Sequence, residues 1–276
     1  MSLPSRPVSA ELEIALVQLR SEKGDLDGNL ALHALRIDAA RDRGTAIVLF
    51  PEMSITGYVD PERRPEAVLT LDGPEVARFL ALTAGTPVVA VAGVVEANPA
   101  GKPFITQIVA RDGVLIAVYR KRHIVDEEAM WFAPGLSVPC VFEVDDTLVG
   151  LAVCADIDDP AVYRDCALAG ARLILHASAP GLYGEQETRN WRTGFEWWRG
   201  ECFGKDAAHA RQNGVYVAVA TAAGRTVDED FPGGGYLFGP DGACLVETED
   251  WSPGVLYATI PLAGDERLGG RGEAHG

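Results

Sequence analysis

A chain of 276 residues, 47% hydrophobic and 23% charged, has the makeup of a soluble globular protein with room for one large domain or two small ones. Its formal net charge of −16 argues against a nucleic-acid partner, whose phosphates need clustered Lys and Arg, and is accounted for by a solvated acidic surface. The five cysteines are widely spaced without a CxxC pair, which fits neither a disulfide framework nor a structural zinc site and leaves reduced thiols as the simplest reading.

Residues 1–10 (MSLPSRPVSA) read as a flexible leader without the apolar core of a signal peptide. No later run approaches a membrane span, so a cytoplasmic protein without a membrane partner is expected. Residues 13–19 (EIALVQL) read as a first strand, and 29–43 as a helix with Leu30, Leu32, Leu35 and Ile37 at helical spacing before Gly44. Residues 46–50 form a second buried strand, so this stretch is a βαβ unit with a parallel pair. A helix from Gly73-Pro74 through Leu82 and a strand over 87–95 follow. Strands 105–110 and 114–119 flank Asp112-Gly113, and 141–144 and 148–153 flank Asp145-Asp146, two hairpin signatures. A helix opens at Pro160, behind the acidic pair Asp158-Asp159, and leads to a strand over 173–177. Residues 178–202 read as a loop-rich stretch holding Trp191, Trp197 and Trp198. A helix up to Gln212, a strand over 215–220, a hairpin over 235–246 and a strand over 255–260 complete the pattern. A Gly-rich tail occupies 263–276. No linker or short repeat interrupts 11–262, so one α/β domain with a mixed sheet or two stacked sheets, flanked by helices, is expected.

Chemistry is expected beyond the carboxyl ends of the strands. Cys154 ends the apolar run LVGLAV and precedes a helix, whose N-terminus would favour thiolate; packing as a small buried hydrophobe is the alternative. A cysteine nucleophile needs a base and donors for the oxyanion. Of the five histidines, His33 and His209 lie in helix patterns and His275 in the tail. His123 and His176 remain open as bases but carry no Cys–His hydrolase signature and read as structural. Glu52 directly follows the strand IVLFP, where a carboxylate serves no stability purpose but suits a general base with a raised pKa. Lys121 follows VLIAVYR and, taken alone, reads as part of a solvated run, Arg120-Lys121-Arg122.

FPEMSITGY around Glu52, YRKRHI around Lys121 and GLAVCAD around Cys154 together resemble the three signature segments of the nitrilase superfamily, the carbon–nitrogen hydrolases, in order and in spacing. Glu128 in EAMWFAPG looks like the second glutamate of that family, seven residues before a glycine. ARQNGVYVAVA and GGGYLFGPDGACL resemble its late segments, so the likeness covers most of 11–260. The resemblance implies a four-layer αββα sandwich with mixed sheets, assembled as a homodimer or higher homo-oligomer. It implies hydrolysis of a non-peptide C–N bond in a small linear amide or N-carbamoyl compound through a cysteine thioester. Cys154 would be the nucleophile, Glu52 the general base, Lys121 the oxyanion cation together with the Ala155 N–H, and Glu128 the residue that orients the lysine or the substrate. No metal or organic cofactor is implied. Tyr58, Ala155, Trp131, Ala179 and Trp191 are the pocket candidates. Ala155 stands where many amidases carry an aromatic, Asp159-Pro160-Ala161 where they carry Phe-Pro-Glu, and the Trp-Glu of true nitrilases is absent, which favours amide or carbamoyl substrates over nitriles. The alternatives are a nitrilase, a catalytically silent binding or assembly subunit, and a redox-sensing thiol protein.

Overall fold

The computed structural model describes residues 11–261; the leader and the Gly-rich tail lie outside the described residues. The first half of the chain runs β1 (Glu11–Gln18), α1 (Leu26–Arg43), β2 (Ile47–Leu49), β3 (Val68–Leu69), α2 (Pro74–Ala81), β4 (Val89–Glu96), β5 (Phe104–Arg111) and β6 (Val114–Arg120). The second half runs β7 (Val141–Val144), β8 (Thr147–Val153), α3 (Pro160–Leu168), β9 (Leu173–Ser178), α4 (Trp191–Gly204), α5 (Asp206–Asn213), β10 (Tyr216–Thr221), β11 (Ala223–Arg225), β12 (Asp230–Pro232), β13 (Gly235–Phe238), β14 (Cys244–Glu247) and β15 (Gly254–Pro261).

One sheet has the order β15-β1-β2-β4-β5-β6, with β3 also on β4; the second has the order β14-β13-β10-β9-β8-β7. Each is parallel at its centre and antiparallel at its margins. The strand period of two explains the layering. Leu12, Ile14 and Leu16 of β1 and Ile47 and Leu49 of β2 pack with Val149, Leu151, Val153, Leu173 and Leu175 of the other sheet. The alternate residues Ala15, Val17, Val48 and Phe50 pack with Leu30, Ile37, Val76 and Phe79 of α1 and α2. Tyr163, Cys166, Trp198, Cys202 and Ala210 of α3, α4 and α5 cover the second sheet. This is the αββα sandwich with two mixed sheets expected from the sequence.

Local signals account for the element ends. Asp25 caps α1 by accepting from Gly28 N at 3.0 Å, and Gly44 closes it at φ 78°. Asp112-Gly113 and Asp145-Asp146 turn their hairpins with positive φ at both central residues, as two-residue turns between twisted strands require. The stretch 178–202 departs from the expected loop, since α4 occupies its second half. Asn190 accepts from Thr193 N at 3.3 Å, and Phe195, Trp198 and Cys202 form a buried stripe at helical spacing. Gly194, Gly200 and Gly204 lower the helix propensity that sequence reading depends on, and packing overrides them. The helix ends at Gly204 and a second begins at Asp206, where a single helix up to Gln212 was expected. Among the described residues, no helix is long and apolar enough to cross a membrane.

Candidate active site

β2, β6, β8 and β9 each hand over a residue at the carboxyl end: Glu52, Lys121, Cys154 and Ala179. Glu52 is fully buried. It accepts from Lys121 Nζ at 2.9 Å and from Ala179 N at 3.1 Å, and the Cys154 thiol lies beside it. Its segment lies hard against β4. A Cβ on Gly93 would stand 2.1 Å from Met53 N and 2.8 Å from Glu52 C, so only glycine admits the Glu52 backbone here.

Lys121 is equally buried and spans two carboxylates, with Nζ 2.9 Å from Glu52 Oε1 and 2.6 Å from Glu128 Oε1. Glu128, in a short 3₁₀ turn, also accepts from Tyr58 OH at 2.6 Å and from Val125 N at 3.2 Å. The glycine seven residues on has a physical reason. Gly135 N donates to Lys121 O at 2.7 Å, and a Cβ there would meet Arg120 O at 2.2 Å.

Cys154 opens a 3₁₀ turn (Cys154–Asp158) at φ 43°, a left-handed conformation that costs a non-glycine residue of order 1–3 kcal/mol and persists only where neighbours enforce it. Buried Asp156 is one enforcer. It accepts from Val153 N at 3.0 Å, Arg122 N at 3.1 Å, His123 N at 2.8 Å and Tyr119 OH at 2.8 Å, and so ties the cysteine turn to the lysine segment.

Electrostatics follow from this geometry. Burial pushes the Glu52 carboxyl above its ordinary range; Lys121 pulls it back and Glu128 raises it again. Burial works against the Lys121 ammonium, but the charges of Glu52 and Glu128 outweigh it and hold the amine protonated. Burial, then the Glu52 charge, push the Cys154 thiol well above its ordinary value, against the pull of Lys121 and of the Ala179 N–H. The expected thiolate at a helix N-terminus is therefore corrected. The five-residue turn has little dipole, and α3 begins only at Pro160.

Lys121, Glu128 and Cys154 line a cavity of about 630 Å³, and buried Glu52 lies behind them, off its wall. Of the pocket candidates, Tyr58, Ala155, Trp131 and Ala179 line it. Trp191 does not; it starts α4 with the Arg225 guanidinium 6.0 Å over its ring. Trp197, Trp198 and Glu201 take that place from α4, with Lys23 and Glu229 also in the wall. The apolar spacing of Phe195, Trp198 and Cys202 was the signal that could have revealed them. His176 lies under the cysteine turn and His123 contributes its backbone N–H to Asp156, while His33 packs on Phe50. His275 lies outside the described residues. Among the described residues, no group of His, Cys, Asp and Glu has the arrangement to hold a metal ion.

The chain is similar to several amidases. A formamidase of Bradyrhizobium is 28% identical over 75% of this chain, which spans 58% of that relative's length. An N-carbamoylputrescine amidase of Arabidopsis thaliana is 28% identical over 86% of this chain and 83% of its own, and a citrullinase of Francisella tularensis is 25% identical over 92% and 90%. An amidase from Nesterenkonia superimposes with a TM-score of 0.78 at 26% identity, over 93% of this chain and 94% of its own. A variant of that amidase carries the acetamide moiety of fluoroacetamide covalently added at its active-site cysteine. The family model for carbon-nitrogen hydrolases matches residues 13–267, and the chain belongs to that family.

Proposed function

We propose that this protein hydrolyses the C–N bond of a small linear amide or N-carbamoyl compound through a thioester on Cys154. The observation that carries the reading is the buried Lys121 ammonium held by two carboxylates, Glu52 and Glu128, beside the Cys154 thiol. In the resting site the thiol carries its proton, and Glu52 is the carboxylate beside it that can take it. As the sulfur attacks the carbonyl carbon, the proton passes to Glu52. The negative charge moves to the carbonyl oxygen, which Lys121 Nζ and the Ala155 N–H stabilise. Glu52 returns the proton to the departing nitrogen, and ammonia or an amine leaves. Water then enters, gives a proton to Glu52 and cleaves the thioester, releasing the acid and restoring the thiol. A carboxyl held above its ordinary pKa suits a group that must both take and return a proton. The relatives named formamidase, N-carbamoylputrescine amidase and citrullinase support the amide and carbamoyl class.

The test is ammonia release from a panel of small amides, carbamoyl amines, carbamoyl amino acids and nitriles, with Cys154→Ala alongside and intact mass for an acyl adduct. Turnover that falls roughly 10⁴-fold or more in the variant, with an adduct on the parent enzyme alone, is expected. Turnover of nitriles but not of the matching amides would reassign the substrate. Silence across the panel with an unreactive thiol would sink the hydrolase reading.

A further inference from the structure

Behind the nucleophile, on the side away from the cavity, lies a second polar cluster that the hydrolysis above does not use. His176 of β9 is fully buried. Its Nδ1 faces both oxygens of buried Asp206, at 3.1 and 3.0 Å. Its Nε2 stands 3.1 Å from the carbonyl oxygen of Cys154 and 2.9 Å from Ser178 Oγ. A backbone carbonyl can only accept. Asp206 also accepts from Tyr163 OH at 2.9 Å, and the Cys202 thiol lies beside it. A neutral imidazole turns a ring lone pair on an acceptor in either tautomer, even where the Ser178 hydroxyl donates to Nε2. With the proton on Nδ1, the Nε2 lone pair points at the Cys154 carbonyl. With it on Nε2, the Nδ1 lone pair points at the carboxylate. Only the doubly protonated ring donates to both.

We propose that His176 is a buried imidazolium and that His176 and Asp206 form a positioning pair, holding the nucleophile from behind through the carbonyl oxygen of Cys154. The bond pins the residue that stands at φ 43°, where an L residue stays only under restraint. α5 supplies a parallel restraint one turn along. His209, three residues after Asp206 and hence on the same helix face, places Nε2 2.8 Å from the carbonyl of Ile157, in the same 3₁₀ turn. Two imidazoles thus hold two carbonyls of the turn that carries the sulfur. Other groups bear on the His176 charge. Tyr163 of α3 lies edge-on with ring centroids 6.3 Å apart, and Cys202 of α4 and the carboxylate of Asp156 lie close by. His209 reaches it through the stacked Tyr163 ring. Burial alone drives the His176 proton off; the Asp206 carboxylate outweighs it and keeps His176 above the ordinary imidazole range.

The test has one arm that needs no substrate. In the full chain labelled with ¹⁵N-histidine, a long-range ¹H–¹⁵N spectrum at about pH 8 is expected to show one of the five histidines with both ring nitrogens protonated, lost in His176→Gln. Five neutral rings at that pH would overturn the proposal, whether or not the enzyme turns over any compound. The kinetic arm rests on the hydrolase reading and uses its preferred substrate. Asp206→Asn removes the charge that holds the second proton and is expected to lower kcat about tenfold or more with KM within about twofold. His176→Gln, whose amide N–H reaches the same carbonyl, is expected to retain more kcat than His176→Leu. A His176→Leu enzyme with parental kcat, or a loss confined to KM, would overturn the positioning role. Should the leucine variant not fold, the spectrum of the parent chain still decides.

Discussion

Lys121 balances one positive charge against two carboxylates, and the surplus negative charge sets the pH behaviour of the site. Glu128 raises Glu52, so replacing it by Gln lowers the Glu52 pKa while Lys121 stays in place. The acid limb of kcat/KM, which reports Glu52 in the free enzyme, is expected to move to lower pH in Glu128→Gln, while kcat itself falls as Lys121 and Tyr58 lose their common anchor. A limb that stays put or moves upward would show that another group governs it. At this scale the sequence was informative where residue type met a motif, as with Glu52, Lys121, Glu128 and Cys154. It was silent on partners distant in the chain, such as Tyr58 on Glu128 or Asp206 on His176. It was also misleading on the thiol, because a local helix-terminus argument does not see the burial and the Glu52 charge that folding adds.

Individual elements owe their place at the site to close backbone approach. β4 runs against the Glu52–Met53 peptide, with Ile55 N donating to Gly93 O at 2.9 Å and Gly93 N to Ser54 Oγ at 3.1 Å. A methyl group at Gly93 has backbone on its far side, which cannot swing away. Gly93→Ala is expected to cost about 1–3 kcal/mol in urea unfolding and to lower kcat by roughly ten- to a hundredfold, because Glu52 must shift with its peptide. Parental stability and kcat would mean that β4 slides at no cost. The elements read correctly from sequence were those with strong periodicity or turn chemistry, such as α1 between Asp25 and Gly44 and the hairpin at Asp112-Gly113. α4 escaped because its three glycines mask a helix that the buried stripe of Phe195, Trp198 and Cys202 stabilises only once the second sheet is there to receive it.

For the molecule as a whole, the site is a property of the sandwich. Glu52 and Lys121 come from one sheet, Cys154 and Ala179 from the other, and Tyr119 of β6 reaches across to Asp156 beside the cysteine. Neither sheet alone holds a working set. Activity and tryptophan fluorescence are therefore expected to be lost in one shared urea transition, since Trp198 packs in the same core and lines the same cavity. Activity lost well before the fluorescence change would show the site opening ahead of the core. By itself, the sequence determined the alternation of strands and helices and the acidic charge, and it singled out Glu52, Lys121, Glu128 and Cys154 as candidates, because apolar periodicity and motif spacing are written along the chain. Tertiary structure decided which carboxylates share Lys121, that Trp197, Trp198 and Glu201 of α4 rather than Trp191 wall the cavity, and that burial and the Glu52 charge raise the thiol pKa. Those outcomes depend on desolvation and on contacts between residues far apart in sequence, and both exist only after the two sheets close on each other.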